Sequence, residues 1–224
     1  FYKTALRRAA LETDSSTIDK ISLPLRTFEG RTLELLSFTS FEGTPDDHKW
    51  FSPVQPGELQ GAAPPLYSPR LHGPVEYPFT ATSGIKSMNF APRRLPKISH
   101  MTTLTATKFG GKLKIDGAKS VWIYLQRSST TNGRPRGVHN CETWLQLVLR
   151  FAPSKEWVDG DWHICGNHRD DDSSSGFYRA YKEVPVPDGA SKMEIAFAFV
   201  VQKNVKPMNN ARFLIDDLLI VAEY

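Results

Sequence analysis

The sequence predicts an all-β chain folded as a two-sheet antiparallel sandwich or jelly roll, and three observations carry that prediction. Short runs rich in β-branched, aromatic and aliphatic residues recur along the chain, separated by Gly, Pro, Asn and Asp turn chemistry. No helix of ordinary length interrupts them. Several runs alternate apolar with polar residues, as half-buried strands must, because successive side chains point to opposite faces.

Composition narrows the class further. A chain of 224 residues is long enough to bury a substantial core. Its hydrophobic content of 40% is ordinary for a globular protein and excludes a largely disordered one. No apolar run reaches the roughly 18 residues of a membrane-spanning helix, so a membrane partner is not expected. The net charge of +4 is mild, and the basic pairs Arg7 with Arg8, Arg93 with Arg94 and Arg134 with Arg136 are scattered, which argues against nucleic acid. Phe1 in place of Met is expected of a processed, secreted chain.

Taken in order, residues 1–30 read as a short helical appendage, with helix formers from Thr4 to Leu11 and cap signals at Asp14, Ser15 and Ser16. Residues 31–224 read as the sandwich, opening with a strand from Thr32 to Phe38. The Pro- and Gly-rich stretch 51–98 predicts a long irregular insertion over the surface, and a possible contact for a protein partner. Strands are then predicted at Thr102 to Thr107, Lys112 to Ile115, Ser120 to Gln126, Thr143 to Phe151, Trp157 to Cys165, Phe177 to Val184, Lys192 to Gln202 and Ala211 to Ala222.

Three of these strands sort their side chains into two faces. Val121, Ile123 and Leu125 alternate with Trp122, Tyr124 and Gln126; Leu145, Leu147 and Leu149 alternate with Trp144, Gln146 and Arg150; Ile195, Phe197 and Phe199 alternate with Glu194, Ala196 and Ala198. If the three lie in one sheet, the second face offers Trp122, Tyr124 and Trp144 as a platform flanked by Gln126, Gln146, Arg150 and Glu194. Flat rings with flanking amides and charges suit a sugar, whose C–H groups stack on aromatics while its hydroxyls need donors and acceptors. The alternative is that the insertion covers this face and the rings form a second core layer, which Val148, Ala196, Ala198 and Val200 would favour.

The two cysteines repeat one pattern, His139-Asn140-Cys141 and His163-Ile164-Cys165. A Cys141–Cys165 disulfide, free thiols, and a zinc site formed with the histidines and His168 all remain open at this level. The loop from Gly166 to Ser175 crowds His168, Arg169, Asp170, Asp171 and Asp172, and reads as a solvated polar loop. Near the other end, ARFLIDDLLIVAEY places Asp216 and Asp217 at the centre of an apolar strand. Strict alternation turns one of them inward, where a carboxylate needs a partner, whereas a short bend between two strand halves would leave both solvated.

Two segments carry a family resemblance. Leu35 to Trp50 (LLSFTSFEGTPDDHKW), an apolar strand leading into Phe-Glu-Gly and a tryptophan, resembles the opening of carbohydrate-binding modules with a galactose-binding-like jelly-roll fold. Phe177 to Val221, with its Pro187 to Ala190 turn and the Ile215-Asp216-Asp217 strand, is similar to their last strands. The resemblance implies that the first and last strands are neighbours and that a structural calcium joins them, with Glu42, Asp217 and Asp216 as its carboxylates. It also implies non-catalytic polysaccharide binding. The alternatives are a protein-interaction or structural sandwich with a covered sheet, or a lyase or hydrolase. A hydrolase would need two carboxylates such as Glu194 and Glu142, and a lyase a base such as Tyr124 or His139 beside Arg150.

Overall fold

The computed structural model describes residues 32–39, 41, 52–54, 57–59, 64, 74–76, 86–90, 100–130, 143–165, 178–201 and 212–224. Eleven strands lie within these residues: β1 (Leu33–Thr39), β2 (Ser52–Pro53), β3 (Pro74–Glu76), β4 (Lys86–Phe90), β5 (Thr102–Lys114), β6 (Ser120–Thr130), β7 (Thr143–Ala152), β8 (Trp157–Cys165), β9 (Tyr178–Pro185), β10 (Lys192–Val201) and β11 (Arg212–Glu223). All pairings are antiparallel, and they build two sheets. The six-stranded sheet runs β3-β4-β11-β6-β9 with β1 also on β11, and the five-stranded sheet runs β2-β5-β10-β7-β8.

The core is the apolar half of the alternation. Val121, Ile123 and Leu125 of β6 meet Leu145, Leu147 and Leu149 of β7 and Ile195, Phe197 and Phe199 of β10 in one buried cluster. These side chains leave water because each aliphatic or aromatic group gains about 1.5–3 kcal/mol on full burial. Rings lock the layer: Phe109 packs edge-on to Phe197 at 5.6 Å, and Phe199 to Phe213 at 5.2 Å. The predicted two-sheet sandwich is thus the observed architecture.

Two details differ from the sequence expectation. The strands predicted at Thr102 to Thr107 and Lys112 to Ile115 are one strand, β5, because Gly110 and Gly111, at φ 70° and 62°, carry the backbone through a kink without ending it. The 51–98 insertion does more than lie over the surface: β2 pairs with β5, and β4 inserts beside β11 with Met88 and Phe90 buried in the core. Apolar residues isolated among prolines found partners that no local pattern could display. The helical appendage expected at 1–30 lies outside the described residues.

The acids at the centre of β11 owe their burial to topology. One edge of β11 pairs with β6 throughout, while the other edge is shared, with Phe213 to Ile215 pairing to β4 and Leu218 to Glu223 pairing to β1. Asp216 and Asp217 occupy the seam between β4 and β1. A β-bulge falls there, as the register with β6 shifts between Asp216 and Leu219 and Asp217 takes φ 48°. Every residue of β11 from Phe213 to Ala222 is buried, so both faces of the strand are covered and both carboxylates are buried with it. The adjacency of the first and last strands is direct, with Thr39 opposite Leu218.

Candidate functional site

The outer face of the five-stranded sheet carries the densest arrangement of polar and aromatic side chains among the described residues. It consists of the other half of the alternation on β7, namely Trp144, Gln146, Val148 and Arg150, with their neighbours on β8 and β10. Across the strands Arg150 stands between Trp157 and Glu194, and Gln146 faces His163.

Two polar units form there. In the first, Arg150 Nε and Nη2 both donate to Oε2 of Glu194, at 2.7 and 2.6 Å, and the guanidinium lies 4.7 Å from the centre of the Trp157 ring. Planar charge over an indole, tied on its other side to a carboxylate, is held in one orientation. In the second, Asp159 is a hub. Its Oδ1 accepts the backbone N–H of Asp161 at 2.8 Å, while its Oδ2 accepts Gln146 Nε2 at 2.9 Å and faces His163 Nε2 at 3.3 Å. His163 in turn lies 6.1 Å from the Trp144 ring. About half of the side-chain surface of His163 and Asp159 is open to solvent.

A bulge in β8 builds the hub. Between the pairs Gln146–His163 and Val148–Asp159 the register shifts, so residues 160–162 stand opposite Leu147 alone. Asp161 takes φ 49° and exposes its side chain, and Lys182 of β9 donates to its carbonyl at 2.8 Å. Gly160 lets the two backbones approach: a Cβ there would come within 2.6 Å of Leu147 Cγ. Asp159 was not among the residues singled out from the sequence. The available signal was the Asp-Gly-Asp run inside an apolar strand, since a glycine in a strand marks a bulge or a close backbone approach.

The far end of this face is covered. Residues 52–54, 57–59 and 64 lie over it, with Val54 N–H donating to the Ala106 carbonyl, Lys108 paired to Glu58 at 3.0 Å, and Thr103 Oγ1 donating to the Pro64 carbonyl. Val54 and Leu59 pack with Trp144, Val148, Trp157, Ala196, Ala198 and Val200 in a second buried cluster. The small side chains of Ala196 and Ala198 leave the room that Val54 and Leu59 fill. Beneath this strap, Nε1 of Trp144 and Nε1 of Trp157 are buried with no acceptor among the described residues. Each such orphaned donor costs about 1–3 kcal/mol.

The single platform expected from the sequence is therefore corrected. Trp122, Tyr124 and Gln126 lie on β6 in the six-stranded sheet, whereas Trp144, Gln146, Arg150 and Glu194 lie on β7 and β10 in the other. Both sets point away from the core, and so onto opposite sides of the sandwich. The condition that all three strands share a sheet fails, because β11 pairs with β6 and excludes β7 and β10 from its neighbourhood. The same separation removes a lyase pairing of Tyr124 with Arg150. Glu142 and His139 lie outside the described residues.

On the six-stranded side, Tyr124 pairs directly with Tyr181 of β9, and the rings stack at 6.1 Å; Tyr181 also stacks on Trp122 at 6.3 Å. Trp122 Nε1 and Ser120 Oγ donate to Glu223 Oε2 at 3.0 and 3.3 Å. Trp122 and Tyr124 are buried, together with Leu219 and Val221 opposite them, and Tyr181 alone of the three rings is exposed. The face is apolar and shielded, and does not present the expected open platform.

Of the remaining expectations, Asp216 and Asp217 sit together at the seam, where Asp216 Oδ1 accepts the Asp217 N–H at 2.9 Å. Glu42 and Cys141 lie outside the described residues. For Cys165 only the backbone is described, opposite Trp144. Among the described residues no group of three or more His, Cys, Asp or Glu side chains is disposed to hold a metal ion.

No protein-family model matches the chain, and no curated protein matches it. Solved structures do resemble it in architecture. The carbohydrate-binding module CBM27-1 of Caldicellulosiruptor saccharolyticus, in complex with mannohexaose, is 11% identical with a TM-score of 0.48 over 84% of this chain and 96% of that one. A carbohydrate-binding module specific for non-crystalline cellulose, CBM28, is 13% identical with a TM-score of 0.41 over 86% of this chain and 89% of that one. The enzymatically active domain of tailspike protein 4 from bacteriophage CBA120 is 10% identical with a TM-score of 0.38, over 94% of this chain and 21% of that one.

Proposed function

We propose that the chain binds a glycan without cleaving it, on the open part of the outer face of the five-stranded sheet. The observation that carries this reading is a pair of fixed polar units on that face: half-exposed His163 and Asp159, held by buried Gln146, in one, and Arg150 with Glu194 in the other. Sugar hydroxyls need donors and acceptors held at fixed positions, and preorganised side chains lose little entropy when they engage them. Glu194 has its second carboxylate oxygen outside the Arg150 bonds, and half-exposed His163 and Asp159 present further edges. The hydrogen-bonding groups of this site thus include three residues legible in the alternation, Gln146, Arg150 and Glu194, joined by Asp159 and His163, with Trp144 buried beside His163.

The test contrasts the two faces. In affinity electrophoresis or calorimetry over a polysaccharide panel, a Gln146→Ala, His163→Ala double variant is expected to lose about tenfold or more in affinity. Tyr181→Ala, on the opposite side of the sandwich, is expected to bind as the parent does. The reverse pattern would move the site to the six-stranded sheet.

A second reading has one observation in its favour. Val54 and Leu59 already cover part of the same face, as they would in a structural or protein-binding sandwich. Absence of binding to every glycan tested, with tryptophans shielded from acrylamide, would select it.

Calcium at the β1–β11 seam belongs to the same proposal as a stabilising ion. Two buried carboxylates beside the end of β1 supply part of a set of oxygen ligands, and calcium needs about six to eight. Glu42 would follow in sequence just beyond β1. An ion bound only by the folded chain raises its stability, so a chelator is expected to lower the melting temperature, and an unchanged value counts against the ion.

A further inference from the structure

We infer that the glycan is an acidic one, and that a basic pocket at the end of the same sheet face receives its carboxylate or sulfate groups. This rests on the glycan-binding reading and adds the chemical class. The pocket has a volume of about 340 Å³ and lies where the β7–β8 turn meets the start of β10 and the kinked end of β5. That volume is at the lower end of the roughly 300–1,000 Å³ usual for small-ligand sites. Arg150 and Glu194 line it, so the pocket adjoins the second of the two polar units.

Its charge is the argument. The lining holds Lys112, Lys155, Lys192 and Arg150 against a single carboxylate, Glu194. That carboxylate is already engaged by the Arg150 guanidinium. The three ammonium groups are left without a counter-charge: none of them enters an ion pair or a hydrogen bond among the described residues, and all three residues are exposed. Lys114 adds to the imbalance, because it stands directly across the β5–β10 ladder from Lys192. Like charges opposite each other on neighbouring strands destabilise a sheet, and an anion bound between them removes that cost. Asp116, Glu156 and Asp188 occupy neighbouring turns, yet none pairs with these lysines.

The type of cation narrows the ligand. A guanidinium fork selects planar, bidentate anions, whereas an ammonium on a flexible stem acts as a point charge with three rotatable donors. Lysines therefore serve carboxylate and sulfate alike. Ser154 in the turn has its oxygen accepting the Glu156 N–H, which leaves its own hydroxyl proton to donate into the pocket. A neutral stretch of the glycan would lie along His163, Asp159 and Gln146, and a charged substituent would reach the lysines.

The experiment uses the full chain and matched polysaccharides: polygalacturonate against the same polymer fully methyl-esterified, and a sulfated glycosaminoglycan against its desulfated form. Tighter binding to either acidic member, about tenfold or more and weakening steeply with salt, supports the inference, and the arm that shows it names the anion. A Lys112→Gln, Lys155→Gln, Lys192→Gln variant is expected to melt no lower than the parent, to lose that preference, and to keep its affinity for the neutral forms. Equal binding of charged and neutral forms that still depends on Gln146 and His163 overturns this inference and leaves the glycan reading standing. No binding to any member overturns both. Lysine-dependent binding to single-stranded DNA or to anionic vesicles, at the affinity seen for the acidic polysaccharides, overturns the glycan assignment of the pocket.

Discussion

At the residue scale, Gly160 and Asp159 shape the site more than any conspicuous tryptophan. Gly160 lies against Leu147, and Asp159 uses both carboxylate oxygens to hold the bulge that begins there. Any Cβ at 160 would collide with the branched carbon of Leu147 and push β8 away from β7. Gly160→Ala is therefore expected to destabilise the fold by about 1–3 kcal/mol, read from the midpoint of denaturant unfolding. It is also expected to weaken glycan binding, because Asp159 and His163 flank the displaced segment. The tryptophans were conspicuous in the sequence, but Trp122, Trp144 and Trp157 are all buried. An alternation pattern assigns a residue to a face of its strand, and says nothing of what lies over that face.

At the element scale, the strap that carries Val54 and Leu59 and the strand β4 show how a segment without periodicity can be structurally decisive. A two-residue strand and a few apolar side chains have no signature of their own. Their contribution comes from the place where they dock, which local patterning cannot contain. Leu59→Ala removes a buried side chain from the cluster around Trp144 and Trp157, and a cost of about 2–4 kcal/mol is expected. The loss should be local, since the main core between the sheets does not include Leu59. The check is acrylamide quenching: the variant's tryptophans should become accessible at temperatures well below its global melting point. Global unfolding at the parent's tryptophan accessibility would show instead that the strap is part of the main cooperative unit.

At the scale of the whole molecule, the ends of the described sandwich are tied together by β1 and β11. Tyr224 extends that tie, as its N–H donates to the Thr32 carbonyl and its hydroxyl donates to Glu34 Oε2 at 2.6 Å. Burial, then the hydrogen bond to Glu34 and the charges of Glu34 and Asp116, push the phenol from 10.0 up to about 12. Because the folded value lies above the unfolded one, the folded state holds its proton longer. The stabilisation is complete below pH about 10 and is lost as the pH rises to about 12. Melting temperatures measured across that window should fall more steeply for the parent than for Tyr224→Phe. Equal slopes would show that the tie contributes nothing to the pH response.

The sequence by itself determined the all-β class, nearly every long strand, the inward half of each alternating strand, and the place of two adjacent acids within the apolar run of β11. These are local properties, written in period-two hydrophobicity and turn residues, and they survive whatever neighbours a strand acquires. Strand order belonged to the tertiary structure alone. It separated Trp122 and Tyr124 from Trp144 and Arg150, set Asp216 and Asp217 at the seam between two partners of β11, drew the proline-rich segment into both sheets, and brought Lys112, Lys155 and Lys192 around one pocket. Contacts between residues far apart in the chain depend on which strands become neighbours, and the outward face of a strand acquires its meaning only from the sheet it joins.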